Sequence, residues 1–229
     1  MSKLEVLYED NHIIAINKSN FDLVQGDVTG DEPLSDAVKA YIKKKYDKPG
    51  DVYLGVAHRL DRPVSGVVVF ARTSKALVRL NAMFQTHEVK KTYWAIVKNI
   101  PPADEGRLVH YMLKDSDKNK SHAHDKAKKG AKEAILTYKF ISSTSNFHLL
   151  EINLETGRHH QIRAQLARMG CPIKGDLKYG FARSNANPGI GLHARKVEFI
   201  HPVKNEPIVI IAPPPVVTEP LWAEFKNIY

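Results

Sequence analysis

The sequence predicts an α+β fold in which helices flank a largely antiparallel mixed sheet. Short stretches of β-forming residues recur along the whole chain, and many of them follow one another directly. Amphipathic stretches with helical spacing lie between these strands rather than in a separate block. Because 229 residues contain no long linker, we expect a single domain over residues 1–229.

The elements are predicted from periodicity and from turn residues. Strands are expected where apolar and polar residues alternate between turn residues: Leu4–Tyr8, His12–Asn17, the stretches on both sides of a turn within Val56–Phe70, Lys91–Lys98, Arg107–Leu113, Ala134–Ile141, Phe147–Leu154, Leu192–Ile200 and Pro207–Ala212. Helices are expected where apolar residues recur every three or four positions: Pro33–Tyr46, Ser74–His87, Gly157–Met169 and Pro220–Tyr229. The run Lys114–Lys132 contains seven Lys, three Asp and no large apolar residue, and we expect a solvated, mobile loop there.

The composition indicates a basic intracellular protein. Lys and Arg number 34 against 25 Asp and Glu, and the net charge of +9 favours a polyanionic partner. The single cysteine, Cys171, excludes an intrachain disulfide and a zinc site built from cysteine pairs. There is no N-terminal signal core and no run of about 18 apolar residues, so we expect a cytoplasmic protein with no membrane association.

An acidic residue in a basic turn is the first candidate for chemistry. Asp61 lies between Arg59 and Arg62, in a polar turn with strand-forming residues on both sides. Nearby positive charge keeps a carboxylate ionised, so this turn offers an anionic nucleophile or base in surroundings suited to a polyanion. The alternative is an ordinary Asx-turn with two solvated arginines.

Two further clusters carry candidate residues. Glu155–Arg163 follows a strand and opens a helix, with Arg158, His159, His160 and Arg163 in one short run. The alternative there is a solvated basic helix face, and adjacent histidines with no acidic or sulfur partners make a poor metal site. Tyr93, within Lys90–Ala95, is either a core residue or an aromatic face on which a base stacks.

These clusters resemble the motifs of RluA-type pseudouridine synthases. His58–Gly66 matches the family's His-Arg-Leu-Asp-x-x-Thr-Ser/Thr-Gly motif, with Val64 in place of the usual Thr. Lys91–Ala95 matches Lys-x-Tyr-x-Ala, and Gly157–Arg163 matches Gly-Arg-x-His-Gln-Ile-Arg. Three long motifs in the same order are far more specific than one short pattern.

The resemblance extends from about Val6 to Ala212, with one altered element. Shorter matches occur at Gly175–Gly180 and at Leu192–Ala194. The family's early Asn-Lys-Pro-x-Gly element is changed here to Asn17–Phe21. Many relatives carry an N-terminal S4 domain, and the motifs begin so close to Met1 that we expect a catalytic domain without one.

The resemblance implies the fold, the reaction and the partners. It implies a pseudouridine synthase fold with a central catalytic cleft, which isomerises uridine to pseudouridine in structured RNA, either rRNA or tRNA. It implies no cofactor, no metal, no obligatory protein partner and a monomer.

The resemblance also assigns roles to individual residues. Asp61 is expected to be the catalytic carboxylate, Tyr93 to pack on the target uracil, and Arg163 to pair with Asp61. Arg59 is expected to fill the space left by the flipped nucleotide. The other expected RNA or substrate contacts are His58, Arg62, Arg158, His160 and Gln161.

Two other functions agree with parts of this pattern. The first is a non-catalytic RNA-binding or assembly factor that retains the fold. The second is a hydrolase: a glycosidase needs two carboxylates and a metal nuclease needs a cluster of acids. The motif around Asp61 supplies no second acid, so a hydrolase requires Asp22, Asp27 or Asp176 to approach in space.

Overall fold

Strands and helices are interspersed along the chain, as the sequence predicts. The computed structural model describes residues 4–26 and 30–228. The strands are β1 (Val6–Glu9), β2 (Ile13–Lys18), β3 (Gly55–Val56), β4 (Ser65–Ala71), β5 (Lys90–Val97), β6 (Glu105–Asp115), β7 (Lys120–His124), β8 (Lys132–Ser143), β9 (His148–Leu154), β10 (Leu192–Ile200) and β11 (Pro207–Ile211). The helices are α1 (Leu34–Lys45), α2 (Ser74–Gln85) and α3 (Gln161–Arg168), and two segments form 3₁₀ helices, Leu177–Tyr179 and Pro220–Ile228.

The chain divides into two compact units. One joins the chain up to Val89 to Ala194–Pro213, and the other joins Lys90–His193 to the chain from Pro214 onward. That both units form one catalytic domain stays a prediction. No helix in the described ranges is long and apolar enough to cross a lipid bilayer.

Strand β4 is the central strand of the first unit. It pairs antiparallel with β2 from Ile13↔Ala71 to Lys18↔Gly66, pairs with the short β3, and also neighbours β10. Strand β1 pairs with β2, and β11 pairs with β10, both antiparallel. Every residue of β4 is buried, which explains its continuous apolar sequence between Gly66 and Ala71.

The second unit is an antiparallel sheet in the order β5-β9-β8-β6-β7. The predicted mobile loop over Lys114–Lys132 was wrong. Strand β6 continues to Asp115, turns, and pairs with β7 over Tyr111–His124, which we call the β6–β7 hairpin. The hairpin is held by backbone pairing and has no wide apolar face, and its buried residues are Met112 and Ser121.

The second unit has an apolar core, and two of its predicted helices differ from what the sequence predicts. Trp94 and Ile96 of β5 pack with Leu149 of β9 and with Trp222 and Phe225 of the last segment. That segment is a 3₁₀ helix rather than the expected amphipathic α-helix. Helix α3 begins at Gln161, four residues after the predicted start, because the preceding residue has a left-handed backbone with φ of 53°.

Gly66 provides a test of the packing of β4. Its φ is +116°, and a Cβ there would overlap the backbone oxygen of Ala194 and lie 2.6 Å from the nitrogen of Ala194. We expect Gly66→Ala to lower the free energy of unfolding by roughly 3 kcal/mol, measured by urea denaturation. Gly30→Ala is the control, since Gly30 also has a positive φ but no atom within 4 Å of the position that a Cβ would take. Equal losses in the two variants would show that the close approach to Ala194 has no energetic weight.

Candidate active site

The turn that carries Asp61 connects β3 to β4 and is shaped by backbone contacts. The Val64 amide donates a hydrogen bond to the Asp61 carbonyl at 3.0 Å. The Arg62 side chain donates to the Phe21 carbonyl at 3.2 Å and pairs with Asp31 at 2.8 Å. The half-buried Asp61 therefore lies between two exposed arginines, Arg59 and Arg62.

Lys18 binds two backbone carbonyls of this turn, and no sequence motif predicts it as a site residue. Its side chain is 1% exposed, and its Nζ donates to the carbonyls of Ser19, Arg62 and Val64 at 2.7, 3.0 and 2.8 Å. Burial lowers the pKa of Lys18 to about 7, and the nearby carboxylates of Asp22 and Asp61 oppose that decrease. A buried cation thus joins the end of β2 to two backbone positions directly after Asp61.

The Lys18 contacts are compatible with both departures from the family pattern. The altered element Asn17–Phe21 still supplies the lysine. Val64, which replaces the usual Thr, is 2% exposed and contributes its carbonyl, which every residue type provides.

His58 is held by the first unit at the start of the same turn. Its Nε2 accepts a hydrogen bond from the Val69 amide at 2.9 Å, and its ring stacks on Phe84 with centroids 4.6 Å apart. This acceptor role places the ring proton of a neutral His58 on Nδ1. His58 therefore helps to define the entry into the turn, and the expected RNA contact stays a prediction.

The second unit gathers several predicted residues at the start of α3. Gln161, 3% exposed, accepts through Oε1 from the Thr156 hydroxyl at 2.8 Å and from the Arg158 amide at 2.9 Å. Its amide group donates to the Ile135 carbonyl at 3.1 Å. The Arg158 Nε donates to the Glu133 carbonyl at 2.9 Å. Gln161 and Arg158 thus order the segment that precedes α3.

Arg163 forms a buried, bidentate ion pair with Asp176. Its Nε and Nη2 donate to the two carboxylate oxygens of Asp176 at 2.7 and 2.9 Å. The two residues are 5% and 1% exposed. Two of the five N–H groups of the guanidinium are engaged in this pair. From its sequence position Asp176 is predicted only as a possible second acid of a hydrolase, although it lies within the match at Gly175–Gly180.

Tyr93 lies on β5, opposite Ile152 of β9, and its side chain is half-buried. Both neighbouring residues on the strand, Thr92 and Trp94, are buried. Of the acids considered for a hydrolase, Asp22 is near Lys18 and Asp176 pairs with Arg163, while Asp27 lies outside the described residues. Within residues 4–26 and 30–228 no group of three or more His, Cys, Asp or Glu residues is arranged to hold a metal.

The matching family model is described as RNA pseudouridylate synthase and covers residues 12–168, more than half of the chain. The chain belongs to this family. A tRNA pseudouridine synthase C of Vibrio cholerae is 31% identical over 97% of this chain and 96% of its own length. An uncharacterized RNA pseudouridine synthase of Synechocystis is 34% identical over 98% of this chain and 69% of its own length. The expected resemblance to RluA-type pseudouridine synthases is thereby confirmed, and this protein is an RNA pseudouridine synthase.

Solved structures confirm the fold. The human RNA pseudouridylate synthase domain containing 4 has a TM-score of 0.77 with this synthase at 24% identity, over 93% of this chain and 90% of that chain. The α+β fold with a mostly antiparallel sheet is therefore the pseudouridine synthase fold, as predicted.

The titration of Lys18 gives a testable pH dependence. Its pKa is about 7 in the folded protein and about 10.5 for an ordinary lysine, so between these values the unfolded chain binds the extra proton. This group therefore makes the free energy of unfolding rise with pH across that window. We expect the free energy of unfolding of wild type minus that of Lys18→Met to rise by about 1 kcal/mol per pH unit from pH 7 to 9. Urea denaturation measures both values.

Lys44→Met, which removes an exposed lysine of α1, is the matched control for that titration. A wild-type stability that follows the same pH course as Lys18→Met would contradict the buried, proton-losing lysine.

The Arg163–Asp176 pair predicts a large loss of stability when one partner is neutralised. Asp176→Asn removes the carboxylate charge that the buried guanidinium contacts through two hydrogen bonds, so we expect the free energy of unfolding to fall by about 3 kcal/mol, measured by urea denaturation. Asp125→Asn is the matched control, because Asp125 pairs with Arg168 of the same helix at an exposed position. The control should have nearly wild-type stability. A similarly small effect of Asp176→Asn would argue that the buried pair adds nothing to the fold.

Proposed function

We propose that Asp61 is the catalytic carboxylate of this synthase and that its substrate is a uridine in tRNA. The observation that carries the proposal is the buried Lys18 side chain, which donates to the carbonyls of Arg62 and Val64 in the turn that presents Asp61. A rigidly held carboxylate is what a reaction at a ribose carbon requires. Full-length similarity to tRNA pseudouridine synthase C of Vibrio cholerae supports tRNA as the substrate.

The reaction defines what the protein must supply. The N1–C1′ bond of uridine breaks, the uracil turns, C5 bonds to C1′, and the C5 hydrogen leaves while N1 regains a proton. The product is an isomer of the substrate, so no group or electron is gained or lost. Asp61 acts at the sugar, either by adding to C1′ or by removing the C2′ proton to give a glycal.

Tyr93 and Arg163 have supporting roles in the proposal. Tyr93 packs on the uracil ring and takes part in the late removal of the C5 proton. Arg163 uses donors that the Asp176 pair does not engage to orient the Asp61 carboxylate. Arg59, which is exposed in the described structure, replaces the flipped nucleotide in the RNA stack.

RNA backbone binding is assigned to the basic surfaces. Helix α1 carries Lys39, Lys43, Lys44 and Lys45, and the β6–β7 hairpin with its following turn carries a second group of lysines. Such surfaces bind phosphates through charge and release counterions, so affinity should fall steeply with salt. The cytoplasmic location, the monomeric state and the RNA contacts of His58, Arg62, Arg158, His160 and Gln161 stay predictions.

The role of Asp61 is tested by release of tritium from RNA labelled at uridine C5. We expect wild type to release tritium from tRNA of a strain that lacks the protein, and Asp61→Asn to be slower by at least about 10³-fold. The affinity of Asp61→Asn for the same tRNA should change by less than about threefold, because the substitution is isosteric.

Labelled rRNA from the same strain is the comparison substrate for that assay. Release from rRNA alone would replace tRNA as the substrate and leave the role of Asp61 intact. Turnover by Asp61→Asn at the wild-type rate would remove Asp61 from the mechanism.

A further inference from the structure

The turn Asp176–Gly180 contacts two parts of the second unit that differ in character. Asp176, at its start, holds the Arg163 guanidinium. Lys178, in its middle, donates to the Asn119 carbonyl at 3.0 Å, in the turn of the β6–β7 hairpin. Gly180 closes the segment with φ of +93°. One short turn therefore contacts an expected catalytic arginine and a basic surface hairpin.

The ring of Tyr179 lies at the centre of this arrangement. It is 8% exposed, and the Arg163 Cζ is 5.0 Å from its centroid. The Lys120 ammonium, on β7, is 5.2 Å from the same centroid. An aromatic face attracts cations, and it restrains the guanidinium in a direction that the Asp176 carboxylate does not. Arg163 is therefore held by a carboxylate at one edge and by an aromatic ring.

The hydroxyl of Tyr179 attaches this ring to the hairpin. It accepts a hydrogen bond from the Ser121 amide at 2.9 Å and lies 2.9 Å from the His160 Nδ1. The Ser121 hydroxyl in turn is 2.8 Å from the Nδ1 of His159, whose ring stacks on His160 with centroids 3.8 Å apart. Strand β7 and the start of α3 are therefore linked through one phenol oxygen.

We propose that Tyr179 is a positioning residue that couples the β6–β7 hairpin to the orientation of Arg163. The proposal rests on the proposed role of Arg163 in orienting Asp61. The hydroxyl fixes the ring relative to β7, and the ring fixes the guanidinium. A displacement of the hairpin, such as RNA phosphates on its lysines would produce, therefore changes the alignment of Arg163. The hairpin then acts on the rate of the chemical step as well as on affinity.

Three variants distinguish the effect of the Tyr179 ring, the effect of its hydroxyl and the effect of a general loss of core packing. Tyr179→Phe keeps the ring and removes the hydroxyl, and Tyr179→Leu removes both. Tyr138→Leu is the matched control, because Tyr138 is a buried tyrosine of β8 in the same unit whose ring lies against Gly106 of β6. Each variant is assayed for single-turnover tritium release from [5-³H]uridine-labelled tRNA at saturating enzyme, and for tRNA affinity by filter binding.

We expect Tyr179→Leu to slow single turnover by about 30-fold and Tyr179→Phe by about threefold to tenfold, with affinity changed much less. Tyr138→Leu should lower thermal stability and retain the wild-type rate. A wild-type rate in Tyr179→Leu, or an equal loss in Tyr138→Leu, would overturn the positioning role.

A second measurement is independent of activity. In ¹⁵N NMR, the Nε–H of Arg163 should exchange with solvent faster in Tyr179→Leu by about tenfold or more, and the Ser121 amide should do so in Tyr179→Phe. If wild type releases no tritium from any RNA, the proposed function fails, and these exchange rates alone decide whether Tyr179 holds Arg163 and the hairpin. Unchanged exchange at both groups would reject the coupling.

Discussion

The buried ion pair between Arg163 and Asp176 is the constraint on which the second unit depends. A guanidinium that is 5% exposed requires a nearby negative charge, because removing it from water without compensation costs several kcal/mol. Asp176 supplies that charge through two parallel hydrogen bonds, which fix the plane of the arginine side chain as well as its charge. Helix α3, the turn that carries Asp176 and the Tyr179 ring all contact this arginine or carry its partner. The same ion pair therefore serves the folding of the unit and the proposed chemistry.

The first unit also contains a buried ionisable side chain beside an expected site residue, but its hydrogen-bond partners are of a different kind. There the buried group is a cation, Lys18, and its partners are backbone carbonyls rather than a carboxylate. Burial lowers the pKa of Lys18 to about 7, and the nearby carboxylates of Asp22 and Asp61 offset only part of that decrease. Each unit therefore presents one expected site residue from a turn or helix that a buried charge holds in place.

Sequence motifs predicted the fold class, most strand positions and the family, because those features depend on local alternation and on unusual residue combinations. They did not predict the partners of the site. Lys18 contacts carbonyls that lie 44 and 46 positions along the chain, and Asp176 pairs with an arginine 13 positions before it. The position of a single Lys or Asp in the sequence does not indicate which distant carbonyl or arginine it contacts. The β6–β7 hairpin was missed for a different reason. Its second strand, β7, holds only small, basic or polar residues, Lys-Ser-His-Ala-His, so no alternation of large apolar and polar residues marks it as a strand.

Lys18 contacts backbone carbonyl oxygens, so its hydrogen bonds to the turn after Asp61 depend on the backbone conformation and not on the side chains of the turn. Positions 62 and 64 each offer the lysine an oxygen that any amino acid would offer, so their side chains are free to adapt to other demands. Arg62 uses that freedom to reach Asp31, and Val64 uses it to fill an apolar site. Exposed position 62 should therefore tolerate chemically diverse residues and buried position 64 other apolar residues of similar size, whereas position 18 should accept almost none. The side chains of the turn can therefore change while the backbone that presents Asp61 keeps its path.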